Sequence, residues 1–255
     1  MSEPQFSVRL AQTDADILGA QRLRYRVFVE ELGSDGALVD HVHRFERDGF
    51  DVHSQHLILV DDARDASAPD HVVGAYRLLD ETGADAAGQF YSENEYDLSK
   101  LKTSGRRLLE LGRSCLDADY RGGSAMFHLW NALAEFVQER EIEILFGVAS
   151  FHGTDATKLR LPLSLLHYRY CAPEALRVRA LEAGYQPMGL MQEEEIDRRG
   201  AMMEMPALIK AYLRLGGAVG EGAFTDRAFN TTDVCLIMDT AAMPSRRRSL
   251  YQGRK

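Results

Sequence analysis

Between residues 108 and 151 a strand-like run, a glycine turn, a long helix and a second buried run follow one another without a break. LLELGRSCLD (108–117) leads into DYRGG, a helix extends from about Ser124 to Arg140, and EILFGVASF (143–151) reads as a buried strand. This order commits the chain to a sheet covered by helices. FSVRLA (6–11), HLILVDD (56–62), HVVGAYRLL (71–79) and DVCLIMD (233–239) add further strands, and helices are expected from Thr13 or Asp14 to Gly33, over 155–170 and over 206–217. Residues 34–54 read as an irregular loop rich in charge and histidine, and 80–107 as loop with short helical pieces. No repeats or Pro-rich linkers interrupt this pattern. The expectation is one α/β (α+β) domain over 1–244, a mixed central sheet flanked by helices, with an extra helical region toward the C-terminus. The last residues, 245–255, form a basic tail without fixed structure (Arg246, Arg247, Arg248, Arg254 and Lys255).

Charge narrows the partners. With 30 Lys+Arg against 39 Asp+Glu in 255 residues, the formal charge of −9 argues against a nucleic-acid binder held by phosphate contacts. Cys115, Cys171 and Cys235 are odd in number and form no CxxC pair, which fits a reducing cytosol and no disulfide framework. The first residues show no signal-peptide pattern, and no run approaches the ~18 apolar residues of a membrane span.

Four places carry chemistry. The turn Arg121, Gly122, Gly123, Ser124 opens a helix, and unpaired N–H groups with a positive dipole end make a phosphate site; a plain strand-to-helix connection would use the same glycines. Glu110 and Arg113 are three apart and on a regular strand face opposite sides; a bulge at Gly112 would turn both charges toward one cleft, whereas without it they are edge charges. The loop residues Asp40, His41, His43, Glu46, Asp48, Asp51 and His53 match no compact metal pattern and suit a carboxylate-lined pocket for a cationic substrate. His152 and Asp155, in FHGTD after a buried strand, are either site residues at a strand end or caps of the next helix.

The order RYRVFVEELG, HLILV, VVGAYRLL, ELGRSCLDADYRGG, ILFGVASFHGTD and PALIKAYLRLGGAVGEGAFTDRAFNTTDV resembles the GNAT superfamily of N-acyltransferases. Within it the chain is most similar to the hemolysin-like ornithine acyltransferases that make lyso-ornithine lipid, and beyond them to the acyl-homoserine-lactone synthases. By that resemblance Arg24 and Phe28 on the first helix, Asp48 and Asp51 in the loop, Arg77 on a strand, and Glu110 with Arg113 are the site positions. Two departures stand out. Gly33 is followed by Ser34 where the lactone synthases carry a tryptophan beside S-adenosylmethionine, and the glycines after Arg121 are shifted from the usual coenzyme A phosphate loop. The first counts against S-adenosylmethionine as acceptor and the second favours a carrier-protein donor.

The resemblance implies direct transfer of a 3-hydroxyacyl group from the phosphopantetheine of acyl carrier protein to the α-amine of L-ornithine, with no resident cofactor and no metal. Glu110 is then the expected general base, with Arg113 and a backbone N–H near Leu116 completing the catalytic set. Arg24, Phe28, Asp48, Asp51, Arg77, His152 and Asp155 are expected to bind the acceptor, and Arg121, Gly122, Gly123 and Ser124 the donor phosphate. Phe28, Phe127, Trp130 and Phe146 are candidates to line the acyl chain, or simply core. The protein is expected in the cytoplasm, with its basic tail touching an anionic membrane surface at the inner face. The other readings are a homoserine-lactone-type signal synthase and a non-catalytic module binding carrier protein or membrane.

Overall fold

The strand β1 (Phe6–Leu10) pairs antiparallel with β2 (Gln55–Asp61), Phe6 opposite Asp61 and Leu10 opposite Leu57, so the first strand closes on a segment some fifty residues away. The computed structural model describes residues 4–35, 39–64 and 70–241, and the basic tail lies outside them. These residues divide into two compact units: one comprises 4–35, 39–64, 70–88 and 111–141, the other 89–110 and 142–241.

In the first unit the strand order is β1, β2, β3 (Val72–Asp80), β4 (Leu108–Leu116), the last of which contributes residues 111–116. β2 and β3 run antiparallel, with a register shift between Leu59 and Val60. Both are buried along nearly their whole length, which is why they read as unbroken apolar runs rather than alternating ones. The helix α1 (Asp14–Arg24) starts in a reciprocal capping box: Thr13 Oγ1 accepts from the Asp16 N–H, and the Asp16 carboxylate accepts from the Thr13 N–H. It does not run to Gly33 as one α-helix. From Tyr25 to Glu31 the chain widens into a π-helix, which Gly33 N–H closes onto Val29 O and Ser34 N–H onto Phe28 O. Ala20, Leu23 and Val27 of this helical segment pack with Ile58, Val60, Val72, Ala75 and Cys115. A short helix, α2 (Glu81–Ala87), follows β3, capped by Asp80 Oδ1 on Gly83 N–H. The long helix α3 (Ala125–Glu139) lies on β1, β2 and β3. Gly74 permits that approach, since a Cβ there would stand 2.8 Å from Leu129 Cδ1.

In the second unit Leu108–Glu110 of β4 pair in parallel with Ile144–Phe146 of β5 (Ile144–His152). The helices α4 (Arg160–Arg169), α5 (Arg198–Glu204) and α6 (Ala207–Arg214) follow. β6 (Ala223–Asp226) then turns into β7 (Thr231–Asp239), which pairs antiparallel with β5 over its full length. Tyr185–Gln186 pair with the outer side of β6. Leu163, Leu166, Ile209, Val234 and Phe146 are among its fully or nearly fully buried side chains. α5 and β6 are the elements that apolar periodicity does not announce; each is short, and RRGAMME carries only a few apolar positions. The fold is mixed α/β, as the sequence implies. Among the described residues no helix is long and apolar enough to cross a membrane.

Candidate active site

Three arginines and three carboxylates of the first unit form a closed ring. Arg24 Nε donates to Glu46 Oε2, and its Nη1 donates to Asp51 Oδ1 at 2.8 Å. Arg77 Nη1 reaches Asp51 Oδ1 at 3.1 Å and also Asp48 Oδ1. Arg113 closes the circuit, with Nη2 on Asp48 Oδ2 at 2.8 Å and Nε on Glu46 Oε1 at 3.2 Å. Each carboxylate thus bridges two guanidiniums and each guanidinium two carboxylates, so the formal charges cancel.

Local structure places every member. Arg24 stands at the junction where α1 gives way to the π-turns. Glu46 ends the short hairpin of Val39–Asp40 with Phe45–Glu46. Asp48 Oδ1 accepts from Phe50 N–H and Asp51 opens a 3-10 turn, which fixes the loop. Arg77 belongs to β3. Arg113 has φ +49, a left-handed value that a non-glycine residue adopts only where its surroundings hold it there. Gly112, next to it, lies with its missing Cβ 3.7 Å from Arg77 Nε.

The electrostatics follow from burial and pairing. Burial pushes the Asp48 carboxyl up, but Arg77 and Arg113 outweigh it and hold it down at about 2. Asp51 is likewise lowered, burial being overcome by Arg24 and Arg77. His56, whose Nε2 faces Asp51 O at 3.1 Å, is lowered by burial and is neutral at neutral pH. Asp48 and Arg113 have the most exposed side chains of the ring, at 18% and 15%, against 8% or less for the other four. They are the edge a ligand can reach.

Glu110 belongs to the second unit and is 3% exposed. Its carboxylate accepts from Tyr91 N–H and Ser92 N–H, each at 2.7 Å, and from Ser92 Oγ. These three donors fix the position of the carboxylate. Glu110 and Arg113 are therefore not two bare charges: Arg113 is engaged by Glu46 and Asp48, Glu110 by the Tyr91–Ser92 turn.

The other expected positions are placed differently. Phe28 is partly buried against the core of the first unit. Leu116 is buried, and its carbonyl accepts from Arg121 Nε and Nη2 at 3.0 and 2.9 Å. Arg121 also pairs with Glu31 at 2.8 Å, so its guanidinium is engaged within the protein. Gly122 (φ +80) and Gly123 face open space, and Ser124 gives α3 no side-chain cap. His152 and Asp155 are exposed residues of the second unit and take no part in the ring; Asp155 accepts from Thr157 N–H and Oγ1 and so organises the turn before α4. Phe146 packs against Phe90, whereas Phe127 is 54% exposed. Gln21, whose Nε2 donates to Asp51 Oδ2 at 3.2 Å, and Ser92 are residues that sequence reasoning did not name, and Glu46 was named only among the loop acids. Glu46 is one of several acids and histidines in its loop, and nothing in the spacing marks it as the acid that joins Arg24 to Arg113.

The GNAT acetyltransferase domain matches residues 23–131, which includes all six ring residues and Glu110. The L-ornithine N(alpha)-acyltransferase of Rhodobacter capsulatus is 57% identical over 98% of this chain and 95% of its own length, and that of Brucella abortus 42% identical over 96% and 88%. Two solved structures share the fold at low identity. The acyl-homoserine-lactone synthase LasI has a TM-score of 0.50 at 17% identity, covering 97% of this chain and 95% of its own. The CoA-dependent synthase BjaI has a TM-score of 0.53 at 14% identity, covering 97% and 88%. With that identity sustained from end to end, the chain belongs to the family of L-ornithine N(alpha)-acyltransferases, on a GNAT fold.

Proposed function

We infer that the protein is an acyltransferase that acylates the α-amine of L-ornithine and so produces lyso-ornithine lipid. The observation that carries this reading is the 57% identity over 98% of the chain to a relative of that name. The donor in this reading is a 3-hydroxyacyl thioester on the phosphopantetheine of acyl carrier protein. The neutral amine attacks the thioester carbonyl, a tetrahedral oxyanion forms, and its collapse expels the phosphopantetheine thiolate, which takes up a proton. No enzyme-bound acyl group is needed. Cys115 supports this: burial pushes its thiol up to about 12, so no thiolate nucleophile exists there at neutral pH.

The ring supplies recognition. Ornithine carries a carboxylate and a side-chain ammonium, and the accessible edge of the ring offers one group for each, Arg113 for the carboxylate and Asp48 for the cation. Arg24, Arg77, Glu46 and Asp51 hold that edge in place. Glu110, held in place by three donors, serves as acceptor for a proton or a hydrogen bond from the amine. The open glycine turn before α3 suits the single phosphate of the carrier arm. We place the reaction in the cytoplasm, with the tail residues Arg246–Arg248, Arg254 and Lys255 assisting contact with an anionic membrane face. A chain ending at Pro244 should lose part of its salt-sensitive vesicle binding.

The deciding assay incubates purified protein with 3-hydroxyacyl carrier protein and either L-ornithine or S-adenosylmethionine, with products read by mass spectrometry. Acylated ornithine is expected only in the first arm. Acyl-homoserine lactone in the second, with no acylated ornithine in the first, would overturn the reading.

A further inference from the structure

Asp51 is held at both ends. Its carboxylate accepts from Arg24 and Arg77 through Oδ1 and from Gln21 Nε2 through Oδ2 at 3.2 Å. Its carbonyl faces His56 Nε2 at 3.1 Å and also accepts from Ser54 N–H at 3.3 Å. A carbonyl has no hydrogen to give, so Nε2 must carry it. Burial keeps the imidazole neutral at neutral pH, so its one N–H is the one on Nε2. His56 lies on β2 directly opposite Arg77 on β3, and such cross-strand partners leave a sheet on the same face. Arg24 comes to the same place from α1 and Asp51 from the loop, while from β1 the neighbour is Ala11, whose N–H bonds His56 O. A neutral donor suits that position: it adds a hydrogen bond to Asp51 without setting a third cation beside Arg24 and Arg77.

His56 is 3% exposed, so it is placed to act through a neighbour and not on the acceptor itself. The path to the acceptor is short. Asp51 N–H donates to Asp48 O at 3.3 Å, and Asp48 carries the most open carboxylate of the ring. The two acids are thus joined through the backbone as well as through Arg77, and the placing of one sets the placing of the other. We propose that His56 is a positioning residue for acceptor recognition: by holding the Asp51 carbonyl it sets the 48–51 loop so that the Asp48 carboxylate meets the cationic end of ornithine. This rests on the reading of the ring's open edge as the ornithine site. The resemblance that named the ring did not reach His56, which the sequence shows as one polar residue at the start of the apolar run HLILV.

The test is steady-state kinetics of the full chain with 3-hydroxyacyl carrier protein and L-ornithine, with thermal melting of each variant beside it. His56→Phe keeps a buried ring and removes the donor. Its KM for L-ornithine should rise about tenfold, while kcat and the KM for the carrier-protein donor stay within about threefold. His56→Gln returns an amide N–H near the position of Nε2 and should recover most of the loss. His56→Asn is too short to reach the carbonyl and should behave like His56→Phe. In a chain that already carries Asp48→Asn, His56→Phe should add less than about twofold, because a residue acting through Asp48 then has nothing to position. A general loss of packing would instead lower kcat, raise both KM values and multiply with Asp48→Asn. That pattern would overturn the proposal. So would an unchanged KM in His56→Phe, or in His56→Asn if the Phe variant fails to fold. If Asp48→Asn itself leaves the KM for ornithine unchanged, the reading of the ring edge falls and the proposal with it; a raised KM there beside an unchanged one at His56 breaks the proposal alone.

Discussion

Two acid clusters treat the same chemical group in opposite ways. In the ring, Asp48 is held down at about 2, because Arg77 and Arg113 outweigh its burial. In a trio of acids in the other unit, Glu95, Asp226 and Asp233, whose carboxylate oxygens lie within 4.8 Å of one another, burial raises Asp233 to about 6, the charge of Asp226 adding to it against the hydrogen bonds of Ser150, Thr231 and Glu95. Burial opposes the charged form in both places; what differs is whether a guanidinium stands beside it. Glu110 is a third case, compensated by N–H and O–H donors. A buried carboxylate therefore says little by itself about function, and the identity of what answers its charge says much.

The harshest way to break this contrast is to take one guanidinium from the ring. Arg24→Met would leave Glu46 and Asp51 each with one cation fewer inside a site where Arg24 has no exposure. Removing one partner of a buried ion pair costs about 3–5 kcal/mol. Urea unfolding should show a loss of that order, and acyl transfer should fall with it. Arg24→Lys keeps the charge but not the two-pronged contact, and should lie between. A loss below about 1 kcal/mol in the Met variant would mean the ring is not the stabilising unit its geometry suggests.

Acid is the gentler route to the same end. The folded-state pKa of Asp48 lies below the ~3.9 of an unfolded aspartate, so its stabilising contribution is complete above that value and is lost as pH falls from about 4 through about 2. The difference corresponds to roughly 2 kcal/mol at neutral pH. Asp48→Asn should flatten that part of the acid limb in a stability–pH curve, and an unchanged limb would place the acid sensitivity elsewhere.

Much of this was legible in the sequence, though not evenly. The apolar runs at 56–62, 71–79 and 143–151 became β2, β3 and β5 because strands buried on both faces leave a continuous signal. Thr13 announced its helix through local capping chemistry. The π-segment from Tyr25 did not show, since i,i+4 spacing looks the same until the backbone widens. Five of the six ring residues came from resemblance; Glu46 did not, because closing a ring is a property of three dimensions. The trio was invisible for a simpler reason: Glu95 is more than a hundred residues from Asp226 and Asp233.

Glu110 sharpens the comparison at a smaller scale. Glu110→Gln keeps one acceptor oxygen but sets an amide N–H against a Tyr91 or Ser92 donor, so it should cost about 1–3 kcal/mol as well as turnover. Ser92→Ala removes one donor and should cost about 1 kcal/mol. If Ser92→Ala keeps the rate while Glu110→Gln loses it at temperatures where both are folded, the carboxylate acts in the reaction and not only in the turn. Near-normal rates in both would assign it to architecture.

The smallest effect is expected where a carboxylate faces water. Asp155 is exposed, and among the described residues it bonds within its own turn, to Thr157 and Lys158. Asp155→Asn keeps an acceptor for the Thr157 N–H and meets no desolvation cost, so the melting midpoint should move by no more than a few tenths of a kcal/mol in equivalent stability. Its KM for ornithine is the informative number. A KM raised severalfold with an unchanged midpoint would bring Asp155 into acceptor recognition, as a strand-end acid in a GNAT-like chain suggests. An unchanged KM would leave that task to the edge of the ring, where Asp48 is the acid with both a partner and a path to solvent.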